Sequence, residues 1–255
     1  MGFVEKKQNN MASNSEVGHA KNVANFEKLI SFCTSYGGSY NPSKNSIKLT
    51  ALNTLLTDAQ KAVAKVTTQT VAYNNTVNTR MQLFDPIKKL STRLVNALNA
   101  TDASVETKAD AKSVNKKIQG KRASEKKETV PNPDPNQPVP DSISTSQQSY
   151  DQLTEHFNKM LEILSAETTY TPNETELQIS TLNNLLKNMH EANTNVANAY
   201  TDVSNTRIGR NKILYTQPSN LCLTAQEVKN YVKSIFGSTS PEYKQISKLN
   251  FKTVS

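Results

Sequence analysis

Three histidines, two cysteines and two neighbouring carboxylates are the residues best placed by type to do chemistry in this sequence. His19, His156 and His190 stand far apart. None has a metal-suited partner three or four residues away, and HExxH, which puts two histidines on one helix face to grip zinc, is absent. All three read as surface or seam-edge side chains. Cys33 and Cys222 show no CxxC or Cys/His spacing, so neither a disulfide framework nor a zinc site is indicated. Both read as small buried residues. Glu174 and Glu176 would suit acid–base work only if they faced one cleft. They directly follow Pro172-Asn173 at the start of a helix, where acidic side chains favour the positive end of the helix dipole. GxSxG, GxGxxG and GxxxxGK[ST] are all missing. The expectation is a chain with no catalytic activity, no cofactor, no metal and no small-molecule substrate.

Charge offers more. Lys108, Lys112 and Lys116 recur at i+4 on one helix face, Lys117, Lys121 and Arg122 extend the run, and Lys88, Lys89 and Arg93 lie on the helix before it. Such a stripe could neutralise nucleic-acid phosphates with salt-dependent affinity. Aromatic residues for base stacking are not interleaved with it, and a lysine-rich helix face is more often simply solvated. Three further cations, Arg80, Arg207 and Arg210, fall on an apolar seam. A charged head there must be paired, hydrogen-bonded or carried out to water. Either these arginines top the core at helix ends, or they form an anion or partner-acid site used twice. Asn193, also on a seam, reads as a register-setting residue. The net charge of +8 is uneven: residues 1–130 hold 20 Lys and Arg against 10 Asp and Glu, residues 131–255 hold 10 against 12. Asymmetry of this kind points to an anionic partner or to head-to-tail contact between unlike halves.

The elements that must carry these groups are helical. Of the 255 residues only 35% are apolar, with Asn, Thr, Ser and Gln in place of the missing hydrophobics; mean hydropathy is −0.62. Trp is absent and Gly scarce, which disfavours barrels and phosphate-cradling loops. No apolar run approaches the ~20 residues of a membrane span. The first fifteen residues lack the apolar stretch of a secretory signal, and Lys6 stands where a myristoylation motif needs Ser or Thr. The chain reads as cytoplasmic.

A repeat runs through it. Tyr40-Asn41-Pro42-Ser43 is echoed by Tyr170-Thr171-Pro172-Asn173, and the offset of 130 continues through Leu52/Leu182, Val66/Val196 and Arg80/Arg210. Before that turn the offset is 131, as in Phe26/Phe157 and Ile30/Leu161. Each copy then parses as a short heptad helix, a turn, a helix of about 40 residues ending near Asp85-Pro86 or Gln217-Pro218, and two shorter helices. Of the shorter ones, that from Leu223 to Phe236 is expected to be capped by Thr224 with Glu227, and the last to begin at Ser240-Pro241. The predicted fold is all-α: two tandem elongated helical bundles of about four helices each, from an internal duplication. The predicted division is a disordered N-terminus over 1–15, one bundle over 16–120, a linker over 121–142 and a second bundle over 143–255. The linker carries Pro131, Pro133, Pro135, Pro138 and Pro140, which favour a semi-stiff polyproline II spacer.

Four segments, KIQGKR at 117–122, ISTSQQSY at 143–150, YVKSIFG at 231–237 and SPEYKQ at 240–245, resemble those of a family of tandem-repeat helical proteins from Bacteroidetes genomes that has no assigned function. The resemblance covers nearly everything after residue 16. It implies a bacterial source and an all-helical tandem fold, and it carries over no functional residue. Together these readings predict a non-enzymatic structural, scaffold or protein-interaction protein able to self-associate. The alternative is a nucleic-acid or other polyanion binder using the basic first half.

Overall fold

A computed structural model describes residues 14–120 and 148–253. Every regular element among them is helical: α1 (Asn14–Ser35), α2 (Leu49–Phe84), α3 (Ile87–Asn99), α4 (Val105–Ile118), α5 (Tyr150–Ala166), α6 (Ile179–Asn211), α7 (Leu221–Phe236) and α8 (Pro241–Ser247). None of these helices is long and apolar enough to cross a membrane. The linker expected over 121–142 lies outside the described residues, as does the N-terminal segment except for Asn14 and Ser15, which open α1.

The long helices come from a narrow apolar repeat. In α6 the buried positions recur every seven residues at Leu182, Met189, Val196, Val203 and Arg210; in α2 Leu52, Ala59 and Val66 do the same. In α6 that is one buried side chain per two turns, and α2 adds only Leu56 to it before Val66, so packing on neighbouring helices must hold what the Thr and Asn content alone would not. α2 stops at Phe84, just before Asp85-Pro86. α6 stops earlier than expected, at Asn211, and passes into a π-turn over Lys212–Thr216 that leaves Leu214 fully buried. Ahead of both helices the same turn is built twice. The Tyr40 hydroxyl donates to the Ile47 carbonyl at 2.6 Å and Tyr170 to Leu177 at 3.0 Å, each satisfying a buried carbonyl across a short 3-10 turn.

Caps follow the sequence with one correction. Ser104 and Ser240 accept from the backbone N–H three residues on, and Gly237 ends α7 at φ 91°, a conformation costly for any residue with a Cβ. The start of α7, however, is Leu221 and its cap is Asn220, whose Oδ1 accepts from Leu223 N at 2.9 Å. Thr224 is buried one turn in, and Glu227 is free to pair elsewhere.

The chain divides into two units, the first formed by residues 1–72 with 200–255 and the second by 73–199. In the first, Phe26, Leu29 and Cys33 of α1 and Leu52 of α2 pack with Leu214 and with Leu221 and Val228 of α7. In the second, Phe84, Leu94, Leu98 and Ile118 pack with Phe157, Met160 and Leu164 of α5 and Leu182 of α6. Each core therefore joins the front of one expected bundle to the back of the other, which differs from the division at 16–120 and 143–255. The cause is the unbroken helix: α2 enters with its early turns in the first core and leaves with Phe84 in the second, while α6 starts in the second core at Leu182 and leads into the π-turn, whose Leu214 lies in the first. At roughly 1.5–3 kcal/mol for each fully buried large apolar side chain, these two clusters are the main stabilising terms.

Candidate functional site

The basic stripe is partly built into the fold. α3 and α4 run antiparallel: Gln119 Nε2 donates to the Lys88 carbonyl at 2.7 Å, and the Ser91 hydroxyl donates to Asn115 Oδ1 at 2.8 Å. This brings Lys88 and Lys89 to the same end of the hairpin as Lys116 and Lys117. Lys88, Lys89, Lys112 and Lys116 are exposed, Lys117 half-buried. Lys108 is half-buried and donates to the Thr101 carbonyl at 2.7 Å, tying α4 to the turn before it. Arg93 pairs with Glu176. Lys121 and Arg122 lie outside the described residues. Glu176 in turn sits in the 3-10 turn before α6 and not in the first turn of that helix, so the Arg93 guanidinium explains it better than a helix dipole.

The charge of the chain's first half does not belong to one body. Among described residues the first unit holds 14 Lys and Arg against 6 Asp and Glu, while the second, which contains the stripe, holds 10 against 11. The stripe thus sits on a unit with no cationic excess to attract a polyanion from a distance.

The seam arginines part company. Arg80 lies over the Tyr150 ring, 4.0 Å from its centre, and Phe84 meets the same ring edge-on at 4.8 Å. Its Nε is buried with no hydrogen-bond partner. Arg210 is 4% exposed, and its Nε and Nη2 donate to Asn211 Oδ1 at 3.1 and 2.9 Å. Arg207 is exposed, against expectation, because only every seventh residue of α6 is buried there and position 207 falls between. Asn193 donates to Asp151 Oδ1 at 3.0 Å, which links α6 to α5 as a register residue would.

Sequence reading missed a polar cluster in the first unit. His19, 1% exposed, has Nδ1 2.7 Å from the Tyr215 hydroxyl. Asn22 donates to the same hydroxyl at 3.1 Å and to the Lys252 carbonyl at 2.7 Å, and accepts from Lys252 N at 3.2 Å. Phe251 beside it meets Phe26 edge-on at 6.5 Å. The cluster clasps the segment after α8 onto α1. Its members lie 193 to 230 residues apart, and no local spacing announces them. Cys222 lies 3.9 Å from Asn22 Nδ2, but burial pushes its thiol up to about 11, and that of Cys33 to about 12, so neither is a ready nucleophile. The histidines also need correction: only His190 is exposed. His156 is buried against α4 with both ring nitrogens unpartnered; burial chiefly, then Lys117 and Lys159, hold its pKa below the usual value. Neither His19 nor His156 belongs to a metal-ligating set, since no group of three or more His, Cys, Asp or Glu among the described residues could hold an ion.

This chain matches no family model, and no curated protein or solved structure is significantly similar to it. Function must therefore be argued from its own surfaces. Two grooves between α2 and α6 are informative together. The first unit's groove, about 560 Å³, is lined by Asp58, Lys61, Lys65, Gly209, Arg210 and Ile213 among others. The second unit's, about 400 Å³, is lined by Asn188, Glu191, Asn195, Thr79 and Leu83. These are the same positions 130 apart, so one groove geometry carries two different chemistries.

Proposed function

We propose that the protein is a non-enzymatic structural or interaction protein, made of two repeats that arose by duplication, whose task is to hold other proteins or further copies of itself. The observation that carries this reading is the make-up of the cores, each of which needs helices from both repeats. A repeat of this kind is an incomplete body whose apolar face calls for a second one. The buried polar groups support the same reading, because they are spent on holding helices and the C-terminal segment in place. Following the resemblance of its sequence segments, we read it as a bacterial protein. Size-exclusion chromatography with light scattering at low and high salt tests the proposal on nuclease-treated protein. A species well above the 28.2 kDa of one chain supports self-assembly, and its loss in salt ties that assembly to charge. A 28.2 kDa monomer at both salts removes self-assembly and directs the search to a separate partner.

A second reading, polyanion binding, rests on Lys88, Lys89, Lys112 and Lys116, all exposed on one hairpin. Reversing Lys112 and Lys116 to Glu tests it without touching Lys108, which holds the Thr101 carbonyl. Binding to random DNA or RNA that weakens in this variant, and with added salt, supports the reading. No binding to wild-type protein at low salt ends it.

A further inference from the structure

Each core is closed by one ion pair between its two repeats, and the two pairs are opposite in polarity. In the second unit Arg93, on the third helix of the first repeat, pairs with Glu176 in the turn of the second repeat. In the first unit Glu227, on the third helix of the second repeat, pairs with Lys44 in the turn of the first at 2.6 Å. Arg93 and Glu227 are structural equivalents: Ile87/Leu221, Leu94/Val228 and Leu98/Val232, all buried, stand 134 apart, as do residues 93 and 227. Lys44 is likewise matched by Glu174, at the offset of 130, with Glu176 two residues on. The repeats have kept a tie between the third helix and the turn, moved it by two residues within the turn, and reversed its sign.

Sign reversal has a consequence for partner choice. A repeat cannot close its own core, because its long helix carries its front and its back into different cores. It can close on the other repeat, or on a like repeat from a second chain. Like-with-like closure sets Arg93 against Lys44 in one case and Glu227 against Glu174 and Glu176 in the other. We infer that the two oppositely poled ion pairs favour recognition between unlike repeats and disfavour pairing of like repeats between chains. The partner of each repeat's open face is thus the complementary repeat, in the same chain or in a second copy. This goes beyond the assembly reading and holds for a strict monomer as well.

The difference is electrostatic and exposed, so it is modest. Each like-with-like dimer exchanges two attractive contacts for two repulsive ones, which amounts to roughly tenfold in the pairing ratio. A full-length chain with a protease site inserted between residues 121 and 147 provides the test. It is cut, unfolded, refolded and weighed by native mass spectrometry, which separates the unlike complex from the two like dimers by mass. Wild-type halves are expected to refold mainly as the unlike complex, with like dimers the minority. The double variant Lys44→Glu with Glu227→Lys retains both ion pairs but makes each repeat complementary to itself, so like dimers should rise about tenfold relative to wild type. Arg93→Glu with Glu176→Arg should do the same from the other core, which guards against a folding failure in either variant. A pairing ratio unchanged in both, or halves that refold as separate folded monomers, overturns the inference.

Discussion

At positions 130 apart the two units make the same Tyr40–Ile47 and Tyr170–Leu177 hydrogen bond, yet the matching grooves have different polar linings. Lys61 and Lys65 in one stand where Glu191 and Asn195 stand in the other, and Gly209 where Thr79 stands. The same split appears at the helix seam, where Arg210 bonds to Asn211 while Arg80 stacks on Tyr150. Groups that fix the backbone are held in both units. Groups that decorate it, including His156 against the half-buried Asn25 131 residues earlier, have diverged. The equality of the first set and the inequality of the second can each be measured.

The largest effect belongs to the cores. Phe26 and Phe157 are both fully buried at equivalent positions, so Phe26→Ala and Phe157→Ala should each cost about 3–5 kcal/mol. Hydrogen exchange distinguishes them: Phe157→Ala should raise exchange in α3, α4 and α5, and Phe26→Ala in α1 and α7. Equal loosening of all these helices by both variants would mean that the two cores unfold as one.

The next effect is an inequality. His156 has a folded pKa depressed below its unfolded value, by burial first and then by Lys117 and Lys159, with Glu155 opposing. The unfolded chain therefore binds more protons as pH falls through about 6.5, and the second unit loses stability there. The loss starts as pH drops below the unfolded value and is complete below the folded one. Denaturant melts at pH 7.5 and 5.5 should show this for wild type and not for His156→Leu, while Asn25→Leu in the first unit should leave the slope unchanged. At neutral pH His156→Leu should also recover part of the roughly 1–3 kcal/mol that two unpartnered ring nitrogens cost. A histidine variant with the wild-type pH slope would show that another group titrates.

Smaller still is the matched turn. Tyr40→Phe and Tyr170→Phe each remove one hydrogen bond to a buried carbonyl, so each should cost about 1–2 kcal/mol, by the same amount in thermal melts. Unequal costs would show that the recurrence of the bond conceals different local packing.

Helix identity was legible in the sequence because a heptad stripe and a proline stop are local signals, and the Tyr-x-Pro turn marks the hydrogen bond made at both Tyr40 and Tyr170. Phe26, Leu52, Phe157 and Leu182 stand on that stripe and are fully buried. What could not be read was their partners. Periodicity says that Leu52 is covered, and nothing in it says that Leu221 and Val228 cover it instead of Leu94 and Leu98. Two near-identical seams make both choices equally apolar, so which seam covers which is invisible locally, and with it the polar clasp of His19, Asn22 and Tyr215. The Arg207 error has a related origin. A 3-4 spacing predicts an evenly buried seam, whereas α6 buries one position in seven along that stretch.

The finest difference between the units is Gly209 against Thr79. Gly209 lies inside α6, three residues before the π-turn, and a methyl group placed on it would meet nothing within 4 Å. Its φ is not in the left-handed region, so no backbone constraint requires glycine. A helix interior should then gain from alanine, and Gly209→Ala is expected to stabilise the first unit by about 0.5–1 kcal/mol while Thr79→Ala shifts the second by a few tenths. Denaturant melts on both variants decide it. A gain for Gly209→Ala together with unchanged assembly would make the glycine a tolerated weakness of this helix. A gain in stability together with lost assembly would instead show that the open floor beside Lys61 and Lys65 is where a second molecule approaches the α6 backbone.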